Sequence, residues 1–423
     1  SEIFNFHITI HMNRIVVLSI IVLIYFLIEY HVFQAVQLLT LKSTLSVTRW
    51  VWSTYWLWVV LMIASFMLYI QLDSTLYAGL RVFISALFFI NLIGKLFACL
   101  MLLGDDLRRL ISYLTQFVIS KDDARIAGRT AFIGKAALLT GTLPIMGLLF
   151  GILSGAHDYR IRRRNIYSPH LPKAFDGIRL IQISDIHTGS FFNKTAVRGG
   201  VDIINQERGD IVLFTGDFVN NQSDEAKPYL DLFSKVKAPL GVHSVMGNHD
   251  YGDYHRWDSM MEKQRNIKNL HQMHEYMGWN IMLNENKIIT INGSSIALLG
   301  LENWGVGRFS KYGDMTKTYK GSEEIPYKIL MSHDPSHWDA QVLSEYPDID
   351  LMLAGHTHGM QFGVEIGDFR WSPSQYVYKQ WADLYQKGTQ SLYVNRGFGF
   401  LGYPGRIGIL PEITVLTLKR STS

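Results

Sequence analysis

Two textures of hydrophobic patterning divide the 423-residue chain. Up to about residue 155 the apolar residues form long runs with almost no polar face: Arg14 to Leu41, then 50–70 (WVWSTYWLWVVLMIASFMLYI), 80–103 (LRVFISALFFINLIGKLFACLMLL) and 131–153 (AFIGKAALLTGTLPIMGLLFGIL). Each meets the requirement of about 20 predominantly apolar residues for a helix that crosses a bilayer. Helices of a soluble protein would carry a polar stripe, which these lack. Beyond residue 170 the apolar runs shorten to strand length, and five of them stop at Asp, His or Asn: IRLIQISDIH (178–187), DIVLFTGD (210–217), VHSVMGNHD (242–250), KILMSHDP (328–335) and IDLMLAGHTHG (349–359). This pattern predicts buried strands whose following loops carry the functional side chains, because a rigid sheet holds such residues still while leaving them reachable.

The strand ends supply Asp185, His187, Asp217, Asn248, His333, His356 and His358. Carboxylate oxygen, amide oxygen and imidazole nitrogen without a thiolate suit Mn, Fe or Zn better than a Cys-rich zinc site or an all-oxygen calcium cage. Seven ligands are too many for one tetrahedral ion and fit two ions sharing a carboxylate. Two ions about 3.5–4 Å apart can hold a hydroxide between them and clamp the attacking and leaving oxygens of a displacement at phosphorus. The residues therefore point to a two-metal phosphoester hydrolase.

The blocks DIH (185–187), GD (216–217), GNHD (247–250), His333 and GHTH (355–358), in this order, resemble the signature of the calcineurin-like metallophosphoesterase family. The likeness spans roughly residues 168–420. The flanks LPKAFDGIRLIQISDIHTGS (171–190), LYVNRGFG (392–399) and PEITVLTLKR (411–420) are similar to a membrane-associated bacterial branch of it. The resemblance implies one ion held by Asp185, His187, Asp217 and His358, and a second by Asp217, Asn248, His333 and His356, with Asp217 as the bridge. It also implies that His249 contacts the phosphate or protonates the leaving group, and that Asp250 orients its ring. Met360 departs from the pattern, standing where relatives commonly carry a second Gly, and is expected to trim the pocket without abolishing metal binding. Asn220, Asn221, Asn303, Trp304, Asn395 and Arg396 are expected at the substrate pocket by motif context alone; His337 is a candidate neighbour of His333. His243, His255, His271 and His274 lack such context and read as packing or surface residues.

The expected architecture is an N-terminal transmembrane domain of four helices (1–156; spans about 15–41, 50–70, 80–103 and 131–153), a basic linker (157–170) and a metallophosphoesterase domain (171–423). The first part is all-α and the second α/β, a calcineurin-like sandwich of two mixed sheets flanked by helices. Within the spans, Glu29 and Lys95 are costly ionisable groups that raise a functional role by default; beside it stands the plainer reading, Glu29 near an interface and Lys95 snorkelling. Gly141, Pro144, Gly147 and Gly151 read as permitting close helix packing and a kink rather than marking a transport path, and Trp50, Trp52, Tyr55, Trp56 and Trp58 as an interfacial belt. The charged stretch 104–130 carries an apolar stripe at helical spacing and reads as a surface helix or helical hairpin.

Four spans put the N-terminus and the catalytic domain on one side. Arg160, Arg162, Arg163 and Arg164 argue for the cytoplasmic side, while Lys42, Arg49, Arg108, Arg109, Lys121, Arg125 and Arg129 on the opposite loops nearly balance the count. The resemblance implies a bacterial inner membrane. A formal charge of +4 gives no indication of nucleic acid, and one cysteine, Cys99, excludes an intramolecular disulfide framework. Closeness to a bilayer favours a phospholipid or a lipid-linked phosphate as substrate, including nucleotide-linked glycolipids. Trp371, Tyr376, Tyr378, Trp381 and Tyr385 could line an acyl-chain groove, dip into the interface or serve as core aromatics. Hydrolysis of soluble nucleotides or cyclic nucleotides by an anchored enzyme, and a non-catalytic metal-dependent sensor, are the alternatives. A homodimer is the assembly considered, although no pattern in the sequence specifies it.

Overall fold

The four long apolar runs form the helices α1 (Glu2–Thr40), α2 (Leu45–Gln71), α3 (Ala78–Ile119) and α4 (Ala131–Leu153). The computed structural model describes residues 2–72, 78–119, 131–307, 309–367 and 369–421. The chain divides into two compact units, 1–149 and 150–423, so that the last turn of α4 belongs to the second. All four helices are long and apolar enough to cross a membrane. Exposed Ile20, Leu23, Ile24 and Leu27 on α1 would be untenable in water and are suited to lipid.

Inside the first unit, α3 and α4 approach closely because both are glycine at the crossing: a Cβ on Gly141 would lie 2.6 Å from the carbonyl oxygen of Gly94. Among the described residues nothing crowds Gly147, which shows no packing role of that kind there. Glu29 and Lys95 do not behave as separate interfacial and snorkelling residues. Glu29 is fully buried, and its carboxylate accepts from Lys95 Nζ at 2.8 Å and from the Tyr55 hydroxyl at 2.6 Å. Asn91 extends the network to Tyr25 at 2.8 Å and Trp58 at 2.9 Å. In a medium without water this pairing is what makes two charges tolerable among helices. Of the aromatic cluster, Trp50 is exposed, whereas Trp52, Tyr55 and Trp56 pack on Phe33. The stretch after residue 103 is a continuation of α3 as far as Ile119, with Asp105 and Arg108 paired one turn apart. Lys121, Arg125 and Arg129 lie outside the described residues.

The second unit holds two six-stranded sheets. One runs in the order β1 (Arg160–Ser168), β14 (Glu412–Arg420), β2 (Arg179–Ile183), β3 (Ile211–Phe214), β4 (Val242–Ser244), β5 (Asn280–Ile281). The other runs β12 (Asp383–Lys387), β13 (Gln390–Val394), β9 (Leu351–Ala354), β8 (Lys328–Met331), β7 (Ser294–Gly300), β6 (Glu285–Ile291). Strands β2 to β5 are mutually parallel, as are β7, β8, β9 and β13. A two-stranded hairpin, β10 (Val364–Ile366) and β11 (Phe369–Trp371), stands apart.

Alternation along each strand builds three layers of core. Leu180, Ile211, Leu213, Ile329, Met331, Leu351 and Leu353 meet between the sheets. Their neighbours Ile181, Ile183, Val212 and Phe214 face the helices on one outer side, and Leu330, Met352 and Ala354 face the other. Burial on both faces explains why these strands read as unbroken apolar runs.

The segment 157–170 is not a linker. Its arginine-rich centre is the edge strand β1, parallel to β14 over its whole length. Arg160, Arg162, Arg163 and Arg164 pair with Asp158, Glu365, Glu207 and Asp383, so the basic run is consumed by ion pairs at a sheet edge.

Candidate metal centre

All five ligand-bearing loops leave the carboxyl ends of parallel strands: β2, β3 and β4 from one sheet, β8 and β9 from the other. Facing strand ends are where open α/β sheets gather ligands. Five of the seven expected ligands hold a left-handed backbone: Asp185 (φ 51°), His187 (51°), Asp217 (60°), His356 (70°) and His358 (50°). That conformation swings each side chain back across the strand end, and Asp and His are among the few non-glycine residues that tolerate it. Gly216 (φ 99°) is required for a further reason, since a Cβ there would lie 2.5 Å from the Gly247 nitrogen and 2.9 Å from His333 Nδ1.

The side chains converge in two buried groups, Asp185 with His187 and His358, and Asp217 with His333 and His356. His187 Nε2 is 3.0 Å from His358 Nε2, and His358 Nε2 is 3.1 Å from Asp185 Oδ1. In the second group His333 Nε2 lies 3.2 Å from His356 Nδ1, whose other neighbour is Asn248 Oδ1 at 2.8 Å. Asp217 Oδ2 reaches both groups, at 3.1 Å from His333 Nε2 and 3.6 Å from His187 Nε2. Imidazole nitrogens this close cannot all carry protons, and in each group the imidazole nitrogens and carboxylate oxygens lie within 4.8 Å of one another. This donor set fits two divalent ions bridged by Asp217.

Electrostatics agree with that fit. Burial lowers His187 to about 3 and also lowers His356, keeping both rings neutral and able to ligate. Burial alone would lower His333, but the Asp217 carboxylate outweighs it and raises the ring to about 10. Asp217 is in turn held well below the usual carboxylate range: burial opposes this, and the surrounding histidines prevail. A buried site that pulls so strongly on any positive charge is suited to a cation.

The second nitrogen of several ligand rings is anchored. His187 Nδ1 bonds Asn220 Oδ1 at 3.1 Å, His333 Nδ1–H donates to the Thr215 carbonyl at 2.8 Å, and His356 Nε2 meets the Tyr378 hydroxyl at 2.8 Å. Asp334 places a carboxylate oxygen 3.7 Å from His356 Nε2. Buried Arg406 donates to the Gly399 carbonyl and sets Nη2 3.3 Å from His358 Nδ1. Contacts of this kind fix ring orientation. Thr215, Asp334, Tyr378 and Arg406 were not foreseen in these roles; the sequence signals were the adjacency of Asp334 to His333, the place of Thr215 in the block that ends at Asp217, and Tyr378 in the aromatic segment, while Arg406 had none.

Several expected site residues do other work. Asp250 does not orient His249: its carboxylate accepts the backbone N–H groups of Gly247, Asp217, Phe218 and Val219. The His249 ring is held instead by donation from Nδ1 to the Asn220 carbonyl at 2.7 Å. Arg396 is buried and ion-paired with Glu412 (2.5 Å) and Glu365 (2.7 Å), out of reach of a substrate. Asn303 is buried and donates to the Ser310 carbonyl, bracing a loop. Asn220 supports His187 and His249 from behind. Asn395 bonds Thr414 and the Gly397 N–H, and Trp304 packs at a tilt against His337, which bonds Ser332 and Gln341.

A groove of about 470 Å³ adjoins the centre, lined by Val306, Phe309, Ala340, Val377, Tyr378 and their neighbours. Phe309 packs edge-on against His356 with ring centres 4.8 Å apart. Of the aromatic segment, Tyr378 lines this groove, Trp381 is core, and Tyr376 is exposed.

Comparison with known proteins agrees with this geometry. Residues 178–360 match the model of the calcineurin-like phosphoesterases, and residues 13–156 match that of the "Probable Calcineurin-like phosphoesterase, transmembrane domain". The chain is 30% identical over 269 residues to the uncharacterized metallophosphoesterase YkuE of Bacillus subtilis, covering 62% of this chain and 86% of that protein. It is 27% identical over 354 residues to a transmembrane protein with metallophosphoesterase domain from Danio rerio, covering 82% and 73%. An uncharacterized metallophosphoesterase of Helicobacter pylori is 27% identical over 284 residues, covering 65% and 68%. The chain thus belongs to the calcineurin-like phosphoesterase family, as a metal-dependent phosphoesterase that carries its own transmembrane domain.

Proposed function

We propose that this chain hydrolyses a phosphodiester or pyrophosphate bond in a lipid or lipid-linked substrate at a two-metal centre. The observation that carries the reading is the convergence of both ligand groups on Asp217, with His249 at their margin. Two bound divalent ions would supply an activated water and offset the charge that develops at phosphorus. Asp185, His187, Asp217 and His358 would hold one ion; Asp217, Asn248, His333 and His356 would hold the other. His249 donates from Nδ1 to the Asn220 carbonyl, which leaves Nε2 as the atom that exchanges a proton with the leaving oxygen. Its backbone N–H donates to Asp217 Oδ1 at 2.9 Å, coupling the position of the ring to that of the bridging carboxylate.

The lipid assignment is supported by the four spans and by the groove beside His356, whose lining combines Val306, Phe309 and Val377 with Ser336, Asp339 and Lys379, a mixture of apolar and polar groups suited to a lipid near its headgroup. The bacterial inner membrane rests on the resemblance to the membrane-associated branch, and the cytoplasmic side on the basic residues that follow the last span, although each of those arginines is ion-paired in β1. The test is manganese-dependent hydrolysis by the purified chain in mixed micelles, offering lipid phosphodiesters and pyrophosphates beside soluble nucleotides, with Asp217→Asn as the blank. Lipid turnover that vanishes in the variant supports the proposal. Cleavage confined to soluble nucleotides makes the spans a mere anchor, and binding of two metals with no turnover points to a sensor.

A further inference from the structure

The hairpin β10–β11 is amphipathic in the wrong sense for water. Its register pairs Val364 with Trp371, Glu365 with Arg370 and Ile366 with Phe369. Alternation therefore puts the four apolar residues on one face and the ion-forming pair on the other. The polar face is turned inward: Glu365 pairs with Arg162 and Arg396, and Arg370 with Asp383 at 3.2 Å and the Ala382 carbonyl at 3.0 Å. The apolar face is turned out, with Ile366 73% and Phe369 62% exposed. Phe362, Val364, Tyr376 and Val377 continue it. Ion pairs that anchor the polar side inward are a costly way to expose phenylalanine and isoleucine, unless an apolar medium receives them.

The medium is identified by what the hairpin grows from. Phe362, two residues before β10, bridges to Ile407, and the Ile407 nitrogen donates to the Gln361 carbonyl at 2.8 Å. The preceding residue, Arg406, donates its backbone N–H to the Gly151 carbonyl at 3.2 Å, and a Cβ on Gly151 would lie 2.7 Å from the Ile407 side chain. Gly151 lies in the last turn of α4, within the candidate span 132–157. Chain entering the hairpin is therefore two hydrogen-bonded steps from the last turn of α4, a helix long and apolar enough to span a membrane. Trp371 and Tyr376, which share a hydrogen bond at 3.3 Å, are residue types enriched at that depth.

We propose that the face formed by Phe362, Val364, Ile366, Phe369, Tyr376 and Val377 inserts into the interfacial layer of the membrane, a few residues beyond the ligand His358. The inference is independent of which substrate is cleaved.

Depth measurement tests this directly. In the full chain, with Cys99→Ala removing the single cysteine, Ile366→Cys and Phe369→Cys carry a fluorophore in nanodiscs of phosphatidylcholine and phosphatidylglycerol containing a nitroxide-labelled lipid. Tyr276→Cys, at a residue 66% exposed in the same unit, is the control. Both hairpin positions are expected to be quenched at least about threefold more than the control, as for side chains seated among acyl chains. Equal quenching at all three positions overturns the proposal. So does efficient disulfide formation between copies at position 366 without quenching, which would make a second copy the occupant.

Discussion

The carboxylate of Asp250 accepts the backbone N–H of Asp217 at 2.8 Å and that of Gly247 at 2.9 Å, so one side chain clasps the loops after β3 and β4 together. Two further bonds, from Phe218 and Val219, complete a cradle made entirely of donors. Asp250→Asn presents an amide hydrogen to some of them and leaves buried N–H groups unsatisfied. The variant is expected to lose about 2–4 kcal/mol of stability, measured as a lowered melting midpoint in detergent. It should also bind manganese about tenfold more weakly, measured by dialysis and elemental analysis. Wild-type melting and full metal content would refute this role.

Tyr378 offers a milder perturbation of the same centre. Its hydroxyl is the hydrogen-bond partner of His356 Nε2. Tyr378→Phe keeps the ring that lines the groove and removes that partner alone. Metal affinity is expected to fall about tenfold while melting of the metal-free protein stays unchanged. If affinity is unaltered, Asp334 suffices to hold the ring.

The ion pair between Glu29 and Lys95 predicts an asymmetry between single and double substitution. Lys95→Met strands a fully buried carboxylate and is expected to cost about 3–5 kcal/mol. Adding Glu29→Gln removes the stranded charge and should recover most of that loss. The comparison is made by unfolding in mixed detergent micelles of rising denaturing strength; equal loss in single and double variants would show that the charges are separately solvated.

Acid sensitivity follows from Asp383. Burial opposes its ionisation, but Arg164 at 2.8 Å and Arg396 at 3.5 Å outweigh burial and hold it down to about 2. A depressed carboxyl contributes stability that is present above its unfolded pKa, near 3.8, and is lost as pH falls through 2. Asp383→Asn, which also tolerates the left-handed backbone there (φ 74°), should be about 2 kcal/mol less stable than the parent at pH 7. The gap should close between about pH 4 and pH 2, as followed by thermal unfolding across that range. A gap independent of pH would show that packing alone is at stake.

What was legible in the sequence was whatever is encoded locally. Strand ends carrying Asp185, Asp217 and His333 announce themselves because alternation buried on both faces produces a short apolar run and the ligand follows directly. The spans were legible for the same reason. Strand β1 was not, since RIRRRNIYS reads as a solvated basic stretch until Glu207, Glu365 and Asp383 are brought against it from positions 44 to 219 residues away. Glu29 and Lys95 likewise find each other across 66 residues. Arg396 illustrates the opposite failure: motif context drew it toward the substrate, whereas three acidic partners from separate strands claim it. Long-range charge pairing leaves no periodic trace in a sequence.

The left-handed backbone at five ligand positions limits which ligands the fold can accept. Glutamate binds divalent metals well in general, yet at residue 185 or 217 it would have to adopt a conformation that aspartate, asparagine and histidine tolerate better, and its longer arm would overshoot the convergence point. Threonine or valine there would be excluded outright by branching at Cβ. The backbone thus favours Asp, Asn and His at most of this centre, and within such a frame the residues behind the ligands are the freer place to vary metal preference.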